Sequence, residues 1–157
     1  MNNMRVTVTI TGDAEEIARF QKLGRSLTDY SGAMRSIGKD LKTYYGSQPF
    51  ASEGGVLGQT WRELSPVYRK WKGRHYPGKG ILVASGGLKS SFRSKTTKNS
   101  ATIDNTKMVG SHNLLDIHQN GRGRNPKRPV LLVNDDVTAI VHDAIEDDIK
   151  RKLKEVS

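Results

Sequence analysis

At 157 residues the chain has the length of one domain, long enough to build a core without disulfide or metal staples. It has no cysteine, which excludes a disulfide framework, thiolate chemistry and cysteine-based zinc sites. Its formal net charge of +10 is uneven: residues 62–128 carry fifteen Lys and Arg against three Asp and Glu, whereas residues 129–157 carry four against seven. A basic block suits contact with nucleic acid or with an acidic protein surface, and charge does not choose between them. No apolar run approaches the roughly 18–20 residues of a membrane span. The first residues also lack the charged and apolar segments of a signal peptide, so a soluble protein made inside the cell is expected, with no membrane partner.

Arg5 to Thr11 alternates with Val6, Val8 and Ile10 on one face, the pattern of a half-buried strand. Asp13, Glu15 and Glu16 suit the start of a helix, and Ile17, Phe20 and Leu23 follow at helical spacing, with a break expected near Arg25-Ser26. A second helix is predicted through Tyr30, Met34, Ile37, Leu41 and Tyr44 or Tyr45, its aromatics in the core. It ends at Gly46, and Pro49 blocks resumption.

Between residues 50 and 80 periodicity disappears among many Gly and Pro residues. A loop of about thirty residues is abnormal in a compact domain unless functional or disordered. Disordered linkers rarely hold so many aromatics, however, and Trp61, Tyr68, Trp71 and Tyr76 all fall here. The expectation is an irregular arm within a single domain spanning 1–157, anchored by Trp61 or Leu64. Its basic end, Arg69, Lys70, Lys72, Arg74 and Lys79, would become ordered only on a partner. Ser65-Pro66 offers a cap and first position for a short helix there.

Ile81–Leu88 is an apolar run into a turn, after which Ser91–Lys95, Ser100–Ile103 and Lys107–Gly110 read as a small antiparallel meander. Leu114, Leu115 and Ile117 give one or two helical turns closed at Asn120-Gly121. A loop then displays Arg122, Arg124, Lys127 and Arg128, and Val130–Val133 reads as a buried strand. The loop's ends should be fixed and its charged tip solvated. The last helix, capped by Asn134 or Asp135, carries an apolar stripe from Val137 to Leu153, with acids before it and bases at its end. Its acids Asp143, Glu146, Asp147 and Asp148 read as a solvated face. The sum is an α+β fold: a small antiparallel sheet packed with two or three longer helices, and a long extended arm between helix and sheet.

No catalytic or metal constellation is legible. His112 and His118 are six apart, without the spacing or glutamate of a helical zinc motif. Asp116 and His118 sit two apart on one helix and do not face each other. Ser85-Gly86-Gly87 lacks the preceding glycine of a nucleophile elbow, and Gly121-Arg122-Gly123 is too short to cradle a phosphate. No enzymatic activity and no cofactor are expected.

An ordered set of short motifs remains: Gln48-Pro49-Phe50, Gly58 to Pro66, Ile81 to Phe92, Val109-Gly110-Ser111, Ile117-His118-Gln119-Asn120-Gly121 and Arg128-Pro129-Val130-Leu131. Together they resemble the phage virion morphogenesis proteins, the tail-completion family, over most of residues 14–153. Departures are mild: Ser85-Gly86-Gly87-Leu88 stands where members typically show Thr-Gly-Leu, and Arg128-Pro129-Val130-Leu131 where they show Arg-Pro-Phe-Leu. Leu115-Asp116 replaces the usual Tyr-Ala. The resemblance implies a structural virion protein of the neck, assembled in the host cytoplasm as a six-fold or twelve-fold ring. It would join the portal or connector to the tail terminator or tail tube. Phe50, Trp61, Leu64, Tyr68, Trp71 and Tyr76 are then candidate subunit or ring contacts. The loop cations would meet an acidic ring or DNA in the lumen. Two rivals remain: a nucleic-acid-binding protein using residues 62–128, and an assembly factor absent from the mature virion.

Overall fold

The computed structural model describes residues 14–155. The expected N-terminal strand and the Asp13 helix start fall outside them. Helix α1 (Ala14–Leu27) runs past Gly24, and α2 (Ser31–Tyr45) follows after a short turn. Asp29 caps that turn, its carboxylate accepting from the Ser31 backbone at 2.9 Å and the Ser31 hydroxyl at 2.6 Å. One face of α2 buries Ala33, Ile37, Leu41, Tyr44 and Tyr45, the spacing of a core stripe.

The chain then departs from the expected arm. Residues Gln48–Ala51 form the short helix α3, Gly55–Leu57 make a 3-10 turn, and Phe50, Leu57 and Trp61 enter the core. Gly54 makes this compaction possible. It adopts φ +85°, and a Cβ there would lie 2.6 Å from the Trp61 ring, so only glycine lets the chain fold back onto the indole. Beyond Trp61 comes α4 (Pro66–His75), with Ser65 as cap and Pro66 at its first position, as anticipated. The basic end is therefore helical through His75 rather than irregular.

A single turn, α5 (Gly87–Ser90), leads into β1 (Phe92–Thr96), paired antiparallel with β2 (Ala101–Asn105) in the register Phe92 opposite Asn105. The third strand of the expected meander does not join this pair. Instead β3 (Met108–Val109) pairs with β4 (His112–Asn113) as a separate minimal hairpin. Asn105 links the two, its amide donating to the Leu88 carbonyl at 2.7 Å and its oxygen accepting from the Lys107 backbone at 3.0 Å. Helix α6 (Leu114–Asn120) starts on an Asn113 cap and closes at Gly121 in the left-handed conformation.

Helix α7 (Asp135–Lys154) begins at Asn134, whose oxygen accepts from the Val137 backbone. The Asn134 amide also donates to the Tyr44 hydroxyl and the Val56 carbonyl, both at 2.8 Å, which fixes the helix against α2 and the 3-10 turn. Its apolar stripe packs on the core through Val137, Ile140, Val141, Ala144 and Ile145, then runs off it. Asp148 and Lys152 are buried in its place. Lys152 Nζ lies 2.5 Å from Asp148 and also donates to the Asp29 carbonyl at the α1–α2 turn. Asp148 is therefore no solvated acid: it fastens the end of α7 to the rest of the molecule. A buried ion pair is tolerated when its remaining polar atoms find partners, and Arg151 and Asp29 supply them here. The architecture is α+β, with α2 sandwiched between α7 and the β1–β2 hairpin.

Candidate functional site

The expected strand at Val130–Val133 does not form: the segment pairs with no strand among the described residues. The side chain of Gln119 takes the partner's place. Its oxygen accepts from the backbone of Val130 at 2.8 Å and Leu131 at 3.0 Å, and its amide donates to the Leu131 carbonyl at 3.0 Å. The Tyr45 hydroxyl donates to the Leu132 carbonyl and the Trp61 indole to the Pro129 carbonyl, each at 2.8 Å. Val130 is fully buried as expected, whereas Val133 is exposed. Side chains satisfy the polar backbone that a sheet would otherwise have satisfied.

This clamp pinches the base of the basic loop. The Arg128 backbone donates to the His118 carbonyl at 2.7 Å, and Gly121 at φ +67° sits against the Lys127 backbone, 2.9 Å from where a Cβ would be. Arg128 belongs to the base rather than the tip. It is only 4 % exposed, and its guanidinium donates to the carbonyls of Arg62 at 2.7 Å and Glu63 at 3.1 Å. Its burial follows from geometry: five donors in a rigid fork can satisfy two successive backbone carbonyls at once. Arg122 is exposed but paired with Asp116 at 2.6 Å, while Arg124 and Lys127 stand in solvent.

Between this loop and α4 lies a cleft of about 1040 Å³, with apolar walls from Leu82, Val83 and Leu114. Arg62, Arg69, Lys72, Arg124 and Arg128 all line it. Glu63, the cleft's acid, is paired with Arg69. His118 also lines the cleft, and its Nδ1 is buried without a hydrogen-bond partner. Burial, helped by the nearby Arg128 charge, lowers its pKa to about 4 and keeps it neutral. Burial likewise lowers Lys72, whose ammonium donates to the Gly80 carbonyl. The cleft suits an anionic partner surface with an apolar component.

The candidate contact residues separate into two groups. Phe50 and Trp61, 4 % and 3 % exposed, stack edge to face at 5.7 Å inside the core and cannot touch a neighbour. Leu64 is half-buried against that core. Tyr68 and Trp71 do face solvent, 45 % and 43 % exposed, with Tyr76 half-buried beside them. Tyr68, Trp71 and His75 form a ladder along α4. Adjacent rings are 5.4 and 4.5 Å apart and nearly parallel, and Tyr76 meets the Trp71 ring at 6.0 Å. Of the secondary basic patch, Lys70, Arg74 and Lys79 are exposed, Arg69 is exposed but paired, and Lys72 is buried. His118 and Gln119 lie within the Ile117–Gly121 motif, but nothing in their spacing announces a place in the cleft or the clamp.

Elsewhere, His142, Asp143 and Glu146 bring potential ligand atoms within 4.8 Å of one another on the surface of α7. Lys150 occupies one Glu146 oxygen at 2.5 Å, and the group is as readily a helix-face charge network. No helix among the described residues is long and apolar enough to cross a membrane.

No curated protein and no solved structure matches the chain. A family model does, over residues 13–154, spanning every element described above. The chain belongs to the phage virion morphogenesis family, and its role lies in building the phage virion.

Proposed function

We propose that the chain is a structural component of the head–tail junction, a ring subunit joining the portal or connector to the tail terminator or tail tube. The observation that carries this reading is α4. It is a ten-residue helix whose one buried side chain is Lys72, while Val67, Tyr68 and Trp71 face solvent. A helix this short is marginal in water unless an apolar face is packed. Exposed aromatics beside arginine are the usual anchors of protein interfaces. The basic loop supplies a second, rigidly mounted surface through Arg122, Arg124 and Lys127, suited to an acidic ring or to DNA in the lumen. The role is one of assembly rather than catalysis.

Purified virions test this reading directly. The protein should be present at the neck, and the change of Arg122, Arg124 and Lys127 to alanine should leave the fold intact while heads and tails accumulate unjoined. Absence from finished particles would point instead to an assembly factor. A stand-alone nucleic-acid binder is the rival reading. That rival requires duplex binding whose logarithmic affinity falls by about 0.9 per neutralised phosphate with the logarithm of salt.

A further inference from the structure

We infer that α4 of one copy docks into the groove between α2 and α7 of the next copy, making the contact that propagates the ring. This rests on the ring reading above and specifies which two surfaces meet. The two faces lie on different elements of the chain, so their contact is heterologous, the kind that closes into rings.

The first face is α4 itself. Val67, Lys70, Trp71 and Arg74 recur at three- and four-residue intervals and share one side of the helix. Val67 is 83 % exposed, and α4 makes no extended packing with any other helix or strand. The second face is a groove of about 600 Å³ with the half-buried Ile140 and Ala144 in its wall and Asp40, Asp143 and Asp147 among its charged residues. Arg151, also in the groove, is occupied by Asp148 and Glu155, which leaves Arg35 as the opposing cation. Among the described residues, Lys70, Arg74, Asp40 and Asp147 form no ion pair within 4.0 Å.

The match is one of spacing as well as sign. Lys70 and Arg74 are one helical turn apart, and so are Asp143 and Asp147. Two helices laid side by side can therefore bring both cations opposite both carboxylates, with Val67 and Trp71 over the half-buried Ile140 and Ala144. Charge complementarity of this kind fixes register and suppresses wrong pairings. The basic middle of the chain and its acidic end, residues 129–157, then have one use: each copy carries both halves of the joint.

Charge exchange and crosslinking test the contact. In sedimentation velocity, K70E/R74E and D143K/D147K should each weaken self-association about a hundredfold, as like charges now face each other. An equimolar mixture of the two should recover it, because every contact then pairs opposite charges. The chain has no cysteine, so R74C/D147C carries the only two thiols and should form intermolecular disulfides in assembled particles. Association unaffected by either exchange, or lost in both and not recovered on mixing, would overturn the proposal. Particles that contain R74C/D147C without a crosslink between copies would overturn it while leaving the head–tail role standing. Particles that lack the wild-type protein would instead overturn the head–tail role.

Discussion

Phe50 and Trp61 lie in the core, whereas Tyr68 and Trp71, a few residues further along the same Gly- and Pro-rich stretch, stand in solvent. Composition does not separate the two pairs; backbone hydrogen bonding does. Around Trp61 the chain closes on itself: the Trp61 backbone donates to the Glu53 carbonyl at 2.8 Å, and the Glu53 carboxylate accepts from the Ile81 backbone at 2.7 Å. The helix carrying Trp71 is instead held by its cap, by Lys72 on the Gly80 carbonyl and by the Arg69–Glu63 pair, all polar. Aromatic residues in a loop thus divide into those that fold the loop and those that the folded loop presents.

The two tryptophans give the widest separation. Trp61→Ala should cost about 4 kcal/mol of stability, through the lost ring and the unpaired Pro129 carbonyl. Trp71→Ala should stay within about 0.5 kcal/mol of the parent while preventing head–tail joining. Chemical denaturation of both variants, alongside a joining assay, separates the two roles. A large stability loss in Trp71→Ala would end the distinction.

The arginines sharpen it next. Arg128→Ala should destabilise by about 3 kcal/mol, because the Arg62 and Glu63 carbonyls lose a charged donor. Arg124→Ala should leave the melting temperature in place. Acidification probes the same base. The pKa of His118 is depressed, so the unfolded state binds more protons between pH 6.5 and about 4, and stability falls as pH drops through that window. The loss should reach about 2 kcal/mol once solvent screening is allowed for, and should vanish in His118→Gln. Asp148 acts lower. Burial raises its carboxyl, but the hydrogen bonds from Lys152 and Arg151 outweigh that and hold it below the ordinary value. Its contribution is full above the usual carboxylate range and lost as pH falls through the lowered pKa. At the loop's base, Gly121→Ala should cost about 1.5 kcal/mol in a denaturant titration, since the positive φ and the Lys127 backbone both resist a side chain.

Local patterns were legible where local physics decides. The stripe of α2, the Ser65-Pro66 start of α4, the β1–β2 pair and the Asn134 cap of α7 all follow from neighbours within a turn or two. What escaped depends on distant partners. Val130–Val133 has the composition of a strand, but its hydrogen bonds go to Gln119 and Tyr45, which no periodicity announces. Arg128 reads like its loop neighbours, yet carbonyls more than sixty residues away draw it inside. Asp148 reads like the other acids of its helix until Lys152 and the α1–α2 turn are brought against it.

The pinched base of the basic loop has a mechanical consequence. A force applied at Arg124 cannot simply unravel the tip, because Gly121 bears on Lys127 and the Arg128 amide is tied to α6. The load passes instead through Gln119 and Trp61 to residues 129–131, and through Tyr45 at Leu132 to α2. Tension on the outermost cation is therefore spread over several bonds in parallel, and the loop yields only when the core it is rooted in yields too.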